Sequence, residues 1–361
     1  MEQATRNGES MTSRKPLPVL VAKWLLFVLV LAGVVYTFWK GISQISDSEI
    51  SLDSFRWSWL PVAAASYFFS MIICWGYWHL VLKTLEQSPD PWRSFRAYIM
   101  GQLGKYFPGK ALVVILRTSL ISGPRVQPAV AATSVFVETL SYMAVGAGLS
   151  SLLMIFFVDV GLWLIGLGLA AIVMAGLPVA PPVFRFLVRL LRLDRLSPRI
   201  GQAVERLDAR TSLIGWLMLP FSWLLVGLSL WATIQMIGVS AVPIEQLPRL
   251  TACAGMAIVI GFLSMMPGGL GVREMVLVAI LAPLDPAFDA ATTLIVAVTL
   301  RMVWLVTELV STIILKGVSW ITPAASTAPS DRDSGQDPNS EQNPSSAENS
   351  REFLQDDSQS R

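Results

Sequence analysis

Eight ionisable side chains stand in stretches that are otherwise apolar: Lys105, Lys110, Arg117, Glu138, Arg273, Glu274, Arg301 and Glu308. An ionised group in lipid is costly, and it normally faces a bundle interior or a wet cavity. Most of the cations lie beside helix breakers. One break reads GKYFPGK, with Lys105 and Lys110 flanking Pro108 and Gly109 and Arg117 further on. The other reads SMMPGGLGVRE, in which Pro267, Gly268, Gly269 and Gly271 precede Arg273 and Glu274. A helix that starts at depth presents unpaired N–H groups and the positive end of its dipole. Proline in the first turn and glycine before it suit such a start. With Lys105, Lys110, Arg117, Arg273 and Arg301 nearby, the breaks suit an anion, and in a bilayer the obvious anion is a lipid phosphate. Glu138, Glu274 and Glu308 would serve as counter-ions or in proton coupling. Irregular backbone at that depth is tolerated where protein or a wet cavity satisfies it.

Helical spacing groups some of these residues. Ser134, Glu138, Ser141 and Tyr142 share one face, as do Thr293, Ala297, Arg301, Glu308, Ser311 and Thr312. Arg301 and Glu308 are two turns apart, roughly 10 Å along the axis, too far to bond directly but suited to lining one cavity. The competing reading is structural, with buried pairs that simply hold helices together.

The elements that position these groups follow from composition. Hydrophobic residues make up 53% of the 361 and charged residues 14%, with a mean hydropathy of +0.58. A soluble domain carries about 25% charged residues. Runs near 19–39, 57–82, 129–157, 160–180, 213–237 and 290–315 are long and nearly free of charge, and about 20 residues suffice to cross a bilayer. The fold class is therefore all-α: a polytopic integral membrane helical bundle. Two regions, 98–123 and 249–284, each hold an apolar arm, a Pro-Gly break, basic side chains and a second apolar arm. They are expected to form re-entrant or broken helical hairpins entering from opposite sides, each followed by a long helix with a buried acid. That is the outline of an inverted repeat. Gly101 precedes Pro108 by seven residues and Gly261 precedes Pro267 by six, a loose internal match. Residues 1–16 form a polar arm, 17–321 the transmembrane domain, and 322–361 an acidic tail with too little apolar content to fold.

Loop charge predicts orientation. Arg6, Arg14, Lys15 and Lys23 place the N-terminus in the cytoplasm, Asp47, Glu49 and Asp53 place the next loop outside, and Lys316 returns the chain inside. The loop at 181–212 holds seven arginines and is expected to lie on anionic headgroups of the cytoplasmic membrane, or to act as a topology anchor. Trp57, Trp59, Trp75, Trp78 and Trp92 are expected to anchor span ends. Cys74 and Cys253 lie in separate apolar segments, so neither a disulfide frame nor a metal cluster is expected. The single histidine, His79, leaves no zinc motif and no Ser-His-Asp triad. The stretch from Gly104 to Ala111 nearly matches a nucleotide P-loop, but Ala111 replaces the magnesium-binding hydroxyl and no strand precedes it. Membrane lipids are the expected partners, with no cofactor, nucleotide or nucleic acid.

GQLGKYFPGKALVVILRTSLI and MPGGLGVREMVLVAIL resemble the two signature regions of the lysylphosphatidylglycerol synthase transmembrane-region family, over about 19–318. Pro108, Gly109 and Arg117 match the first signature, and Pro267, Gly268, Gly269, Gly271, Arg273 and Glu274 the second. Glu138 matches the acid of a Glu-Arg pair whose arginine is Thr139 here, and Arg301 matches an arginine of the late helix. For members fused to an aminoacyl-transferase domain, the resemblance implies lipid translocation. For stand-alone members it implies transport of a lipid or lipid-linked precursor. Two functions therefore stand: translocation of an anionic or phosphate-bearing lipid across the cytoplasmic membrane without catalysis, or a role as a membrane-embedded lipid-modifying enzyme or subunit of a lipid-linked transferase.

Overall fold

The structure, a computed structural model, describes residues 55–106, 111–157, 166, 169–170, 181–190, 201, 205–238, 241–264, 269, 271–282 and 288–321. The expected arm 1–16, the runs 19–39 and most of 160–180, and the tail 322–361 lie outside these residues. The chain divides into two units, Met1–Ser319 and Trp320–Arg361, and the packing below belongs to the first.

Among the described residues there are helices and no strands. In chain order they are α1 (Leu60–Thr84), α2 (Pro91–Gln102), α3 (Ala111–Ile121), α4 (Pro128–Phe157), α5 (Pro181–Leu190), α6 (Ala209–Ile237), α7 (Leu247–Leu263), α8 (Val272–Leu281) and α9 (Ala290–Ile321). Among the described residues, five stretches are long and apolar enough to cross a membrane: Trp57–Thr84, Pro128–Phe157, Ala209–Ile237, Ile244–Leu263 and Ala290–Gly317.

Lipid tails are as apolar as leucine, so membrane helices gain little from hydrophobic sorting and pack through small residues and interhelical hydrogen bonds. α1 and α6 show both. The hydroxyls of Ser70 and Ser222 lie 2.9 Å apart, and Ser229 Oγ donates to the Ala63 carbonyl at 2.9 Å. Gly146 of α4 leaves room for the Trp223 ring, which stacks on Tyr142 at 4.3 Å. α7 is the most enclosed helix, buried without interruption from Leu250 to Val259. Its Ala252, Ala254, Gly255 and Ala257 let α4, α6 and α8 come close.

The two hairpins differ. α2 and α3 have 12 and 11 residues, roughly 18 and 17 Å, short of a hydrocarbon core of about 30 Å. Asp90 caps α2 by accepting the Arg93 N–H at 2.7 Å. The Arg93 guanidinium donates to the carbonyls of Leu120 and Ser122 at 3.0 and 2.6 Å. It thereby satisfies the C-terminal end of α3 and ties the base of the hairpin. In the second region only α8, with 10 residues, is short. α7 with its leading turn is of spanning length, because its small-residue face makes it a central packing helix. The two regions are thus not equal copies.

Trp78 departs from its expected place at a span end. It is fully buried and donates to Ser134 Oγ at 2.9 Å. Trp57 and Trp92 are exposed.

A side chain at Gly227 would put its Cβ 2.7 Å from the Thr251 Cα. Gly227→Val is expected to cost about 1–3 kcal/mol by overpacking, read as a lower thermal midpoint in detergent. At the N-terminus of α6, Asp208 accepts the Thr211 N–H at 2.9 Å, and its bonds to Thr211 hold the carboxyl below its ordinary value. A carboxyl depressed on folding stabilises above its unfolded pKa and loses that contribution as pH falls through the folded one. Asp208→Ala is expected to cost about 1 kcal/mol at neutral pH, and the gap to wild type should close on acidification in the same assay.

Candidate functional site

A cavity of about 410 Å³ lies between the two hairpin regions. Lys105 and Arg117 reach it from the first, Gly269 and Arg273 from the second, and Glu138, Tyr67, Tyr98, Tyr142 and Trp304 from the long helices and α2. Pro108, Gly109, Lys110, Pro267 and Gly268 lie outside the described residues.

Arg117 on α3 is buried. Its Nη1 donates to Glu138 Oε2 at 2.7 Å, and its guanidinium lies 4.0 Å from the centre of the Tyr98 ring. Tyr98 donates to the other Glu138 oxygen at 3.2 Å, and Thr139 Oγ1 donates to Oε2 at 3.3 Å. Thr139 therefore leaves Glu138 its ion pair: the arginine comes from the preceding hairpin instead of the next position. Gly101 of α2 makes this possible, because a Cβ there would collide with the Arg117 stem.

The second region repeats the arrangement with the charges exchanged. Glu274 on α8 accepts from Arg301 Nη1 of α9 at 2.9 Å. Here the short helix brings the acid and the long helix the base. Gly261 of α7 again clears space for an arginine stem, since a Cβ would meet Arg273 Cγ at 2.5 Å. Gly269 and Gly271 adopt φ of +69° and +79°, a left-handed conformation that suits glycine. Gly271 is the N-cap of α8.

Glu308 of α9 is fully buried and makes a third contact. Its Oε1 accepts both Lys105 Nζ and the Tyr67 hydroxyl, and Lys105 also donates to Tyr67 at 2.9 Å. Arg301 and Glu308 were expected to line one cavity. They instead turn to separate partners, Glu274 and Lys105, and neither is part of the cavity wall. The reason is direct. Lys105 and Glu274, carried by short elements, each meet an opposite charge on α9, and two turns of separation allow both pairs to form.

Arg273 is the exception. It lines the cavity in the first turn of α8 and forms no ion pair among the described residues, and its buried Nε has no hydrogen-bond partner. The helix N-terminus carries a partial positive charge, so Arg273 adds a full charge where the backbone already favours an anion. Among the described residues that line the cavity, Arg273 is thus the cation that forms no ion pair.

A second space, about 710 Å³ and almost wholly apolar, runs along α1 and α9 past Phe68, Met302, Val306, Val310 and Ile314. Its α9 wall extends from Val298 to Leu315, roughly 26 Å of helix. α1 and α9 border both spaces. Tyr67 and Trp304, stacked at 5.0 Å, face the charged one.

The expected cations Lys105, Arg117 and Arg273 do converge. Charge and helix breaks did not point to Tyr67, Tyr98 and Trp304. Their only sequence signal is aromatic residues within spans whose polar atoms need partners.

Removing one member of a buried pair leaves the other charge stranded, at a cost of about 3–5 kcal/mol, whereas replacing both is far milder. Arg117→Met is therefore expected to lower the thermal midpoint in detergent sharply, and Arg117→Met with Glu138→Leu to recover most of the loss. Additive losses would show that the pair does not interact.

A comparison with curated proteins finds no match. A family model, the lysylphosphatidylglycerol synthase transmembrane region, matches residues 20–309. That stretch contains both hairpin regions, the long helices that pair with their charges and the cavity between. The chain is an integral membrane protein that belongs to the lysylphosphatidylglycerol synthase transmembrane-region family.

Proposed function

We propose that the protein moves an anionic, phosphate-bearing lipid between the leaflets of the cytoplasmic membrane. The observation that carries this reading is Arg273, a cation at a helix N-terminus that forms no ion pair among the described residues, facing a cavity it shares with Lys105 and Arg117. A low-dielectric site with an unmatched cation favours an anion more strongly than the same group would in water. The apolar groove along α1 and α9 suits the hydrocarbon part of such a ligand, since it offers almost no polar surface. Membership of a lipid-related membrane family agrees with a lipid cargo.

Transport, not bond chemistry, is assigned to the cavity. The basic residues that flank the first and last runs favour cytoplasmic termini. The basic segment 181–212 would rest on anionic headgroups there. On α5, Arg185 and Arg189 alternate with the exposed apolar Phe186 and Leu190, a pattern suited to the interface.

Reconstitution in vesicles with labelled phosphatidylglycerol, cardiolipin and polyprenyl phosphate tests the proposal. Wild-type protein is expected to accelerate transbilayer movement of at least one of them, and Arg273→Ala to return it to the protein-free rate while keeping its thermal midpoint. Rates equal to those of empty vesicles for all three would overturn the reading. A protein- and donor-dependent mass change in the lipid would replace it with the lipid-modifying alternative.

A further inference from the structure

Three buried carboxylates stand at or near the cavity, and their oxygens are bonded to different degrees. Glu138 has both satisfied: Oε1 accepts from Tyr98, and Oε2 from Arg117 and Thr139. Glu274 gives Oε1 to Arg301 and leaves Oε2 without a partner among the described residues, but Arg301 is not part of the cavity wall. Glu308 of α9 likewise leaves a buried Oε2 unbonded. Its Oε1 accepts from Lys105 and Tyr67, and both of these line the cavity.

The two cations that pair at the cavity wall differ in freedom. The Arg117 guanidinium is held over the Tyr98 ring at 4.0 Å and near the Trp78 ring at 5.5 Å, with its side chain only 3% exposed. Lys105 sits on the turn Leu103–Tyr106 that follows α2, and its side chain is 23% exposed. An ammonium on a flexible four-carbon stem can turn from one acceptor to another. Tyr106, from the same turn, also faces Glu308, and Arg273 of α8 and Arg301 of α9 are close enough to act on Lys105 through charge.

An anion in the cavity and the Glu308 carboxylate therefore compete for one ammonium. A buried carboxylate stripped of its cation bears a desolvation cost, and it escapes that cost by taking up a proton. Anion binding and protonation of Glu308 then favour each other, because linkage is reciprocal.

We propose that the protein couples lipid movement to protons: Glu308 takes up one proton when an anionic headgroup draws Lys105 away, and releases it when the headgroup leaves and the ion pair re-forms. The proton comes from the aqueous side where the headgroup enters and goes to the side where it departs, and Lys105 keeps its charge throughout. This rests on the lipid-phosphate reading above and assigns its driving force. Protons run from the acidic to the alkaline compartment, so the lipid gathers in the leaflet that faces the alkaline one.

Phosphatidylcholine vesicles holding the full-length protein and a trace of labelled phosphatidylglycerol, cardiolipin or polyprenyl phosphate test this, with the membrane voltage clamped at zero by potassium and valinomycin. A pH difference of one unit is imposed, and the final share of label in each leaflet is read, a quantity independent of rate. Full coupling to one proton corresponds to a factor of about ten per pH unit. The wild type is expected to enrich at least one label severalfold in the leaflet facing the alkaline side. Glu308→Gln, which takes up no proton there, should divide the label as it is divided without a gradient, and Glu138→Gln should keep the enrichment. If Glu308→Gln fails to fold, Lys105→Met with Glu308→Leu removes both charges and should lose the enrichment in the same way.

A label that equilibrates faster than in protein-free vesicles yet ignores the gradient in the wild type overturns the inference and leaves the lipid-phosphate reading standing. That measurement needs no variant. Enrichment that survives in Glu308→Gln or in the double variant overturns the assignment to Glu308, as does enrichment lost in Glu138→Gln but kept in Glu308→Gln. If no label moves faster than in protein-free vesicles, the lipid-phosphate reading itself fails and the inference with it.

Discussion

A charge buried away from water must find its opposite inside the protein, and the polar centre of this membrane protein is arranged around that constraint. Three ion pairs meet it. Arg117 with Glu138, Arg301 with Glu274, and Lys105 with Glu308 each join a short element to a long helix. The short helices α2, α3 and α8 cannot be held in place by spanning the bilayer, so contacts with longer neighbours must fix them. The same contacts determine where the backbone breaks lie, and hence where the cavity lies.

The two hairpin regions solve one packing problem in the same way and the charge problem in opposite ways. Gly101 and Gly261 each clear space for an arginine stem on the short helix that follows. In the first region that arginine is the charge that pairs with the long helix. In the second, the neighbouring Glu274 takes the pairing role and Arg273 is left facing the cavity. The sign exchange is thus the structural origin of the unmatched cation. Had both short helices offered arginine to a glutamate, Arg273 would be another structural pair.

The two spaces divide along chemical lines. The charged cavity is walled by Lys105, Arg117 and Arg273, whereas the groove on the other side of α1 and α9 is apolar along roughly 26 Å of helix. The Tyr67–Trp304 stack and the buried Lys105–Glu308–Tyr67 cluster belong to the same two helices. A ligand with a charged head and an apolar chain meets an environment suited to each part within one bundle.

Much of this was legible in the residues. Low charge and long apolar runs determine a helical membrane bundle, because no other all-backbone-satisfied structure fits 20-residue apolar segments. Proline and glycine next to Lys105, Arg117 and Arg273 mark where the helices stop and the cations gather. The pairing was not legible. Spacing put Arg301 and Glu308 on one face and suggested one shared cavity, yet their partners come from 27 and 203 residues away. Trp78 read as an interfacial anchor and is core, and the spanning length of α7 was hidden by the break that follows it. Periodicity constrains neighbours on one helix, whereas neutralisation depends on proximity through space. The sequence alone therefore determined that charges would be buried at two helix breaks, and only the tertiary structure decided which of them cancel and that Arg273, among the described residues, does not.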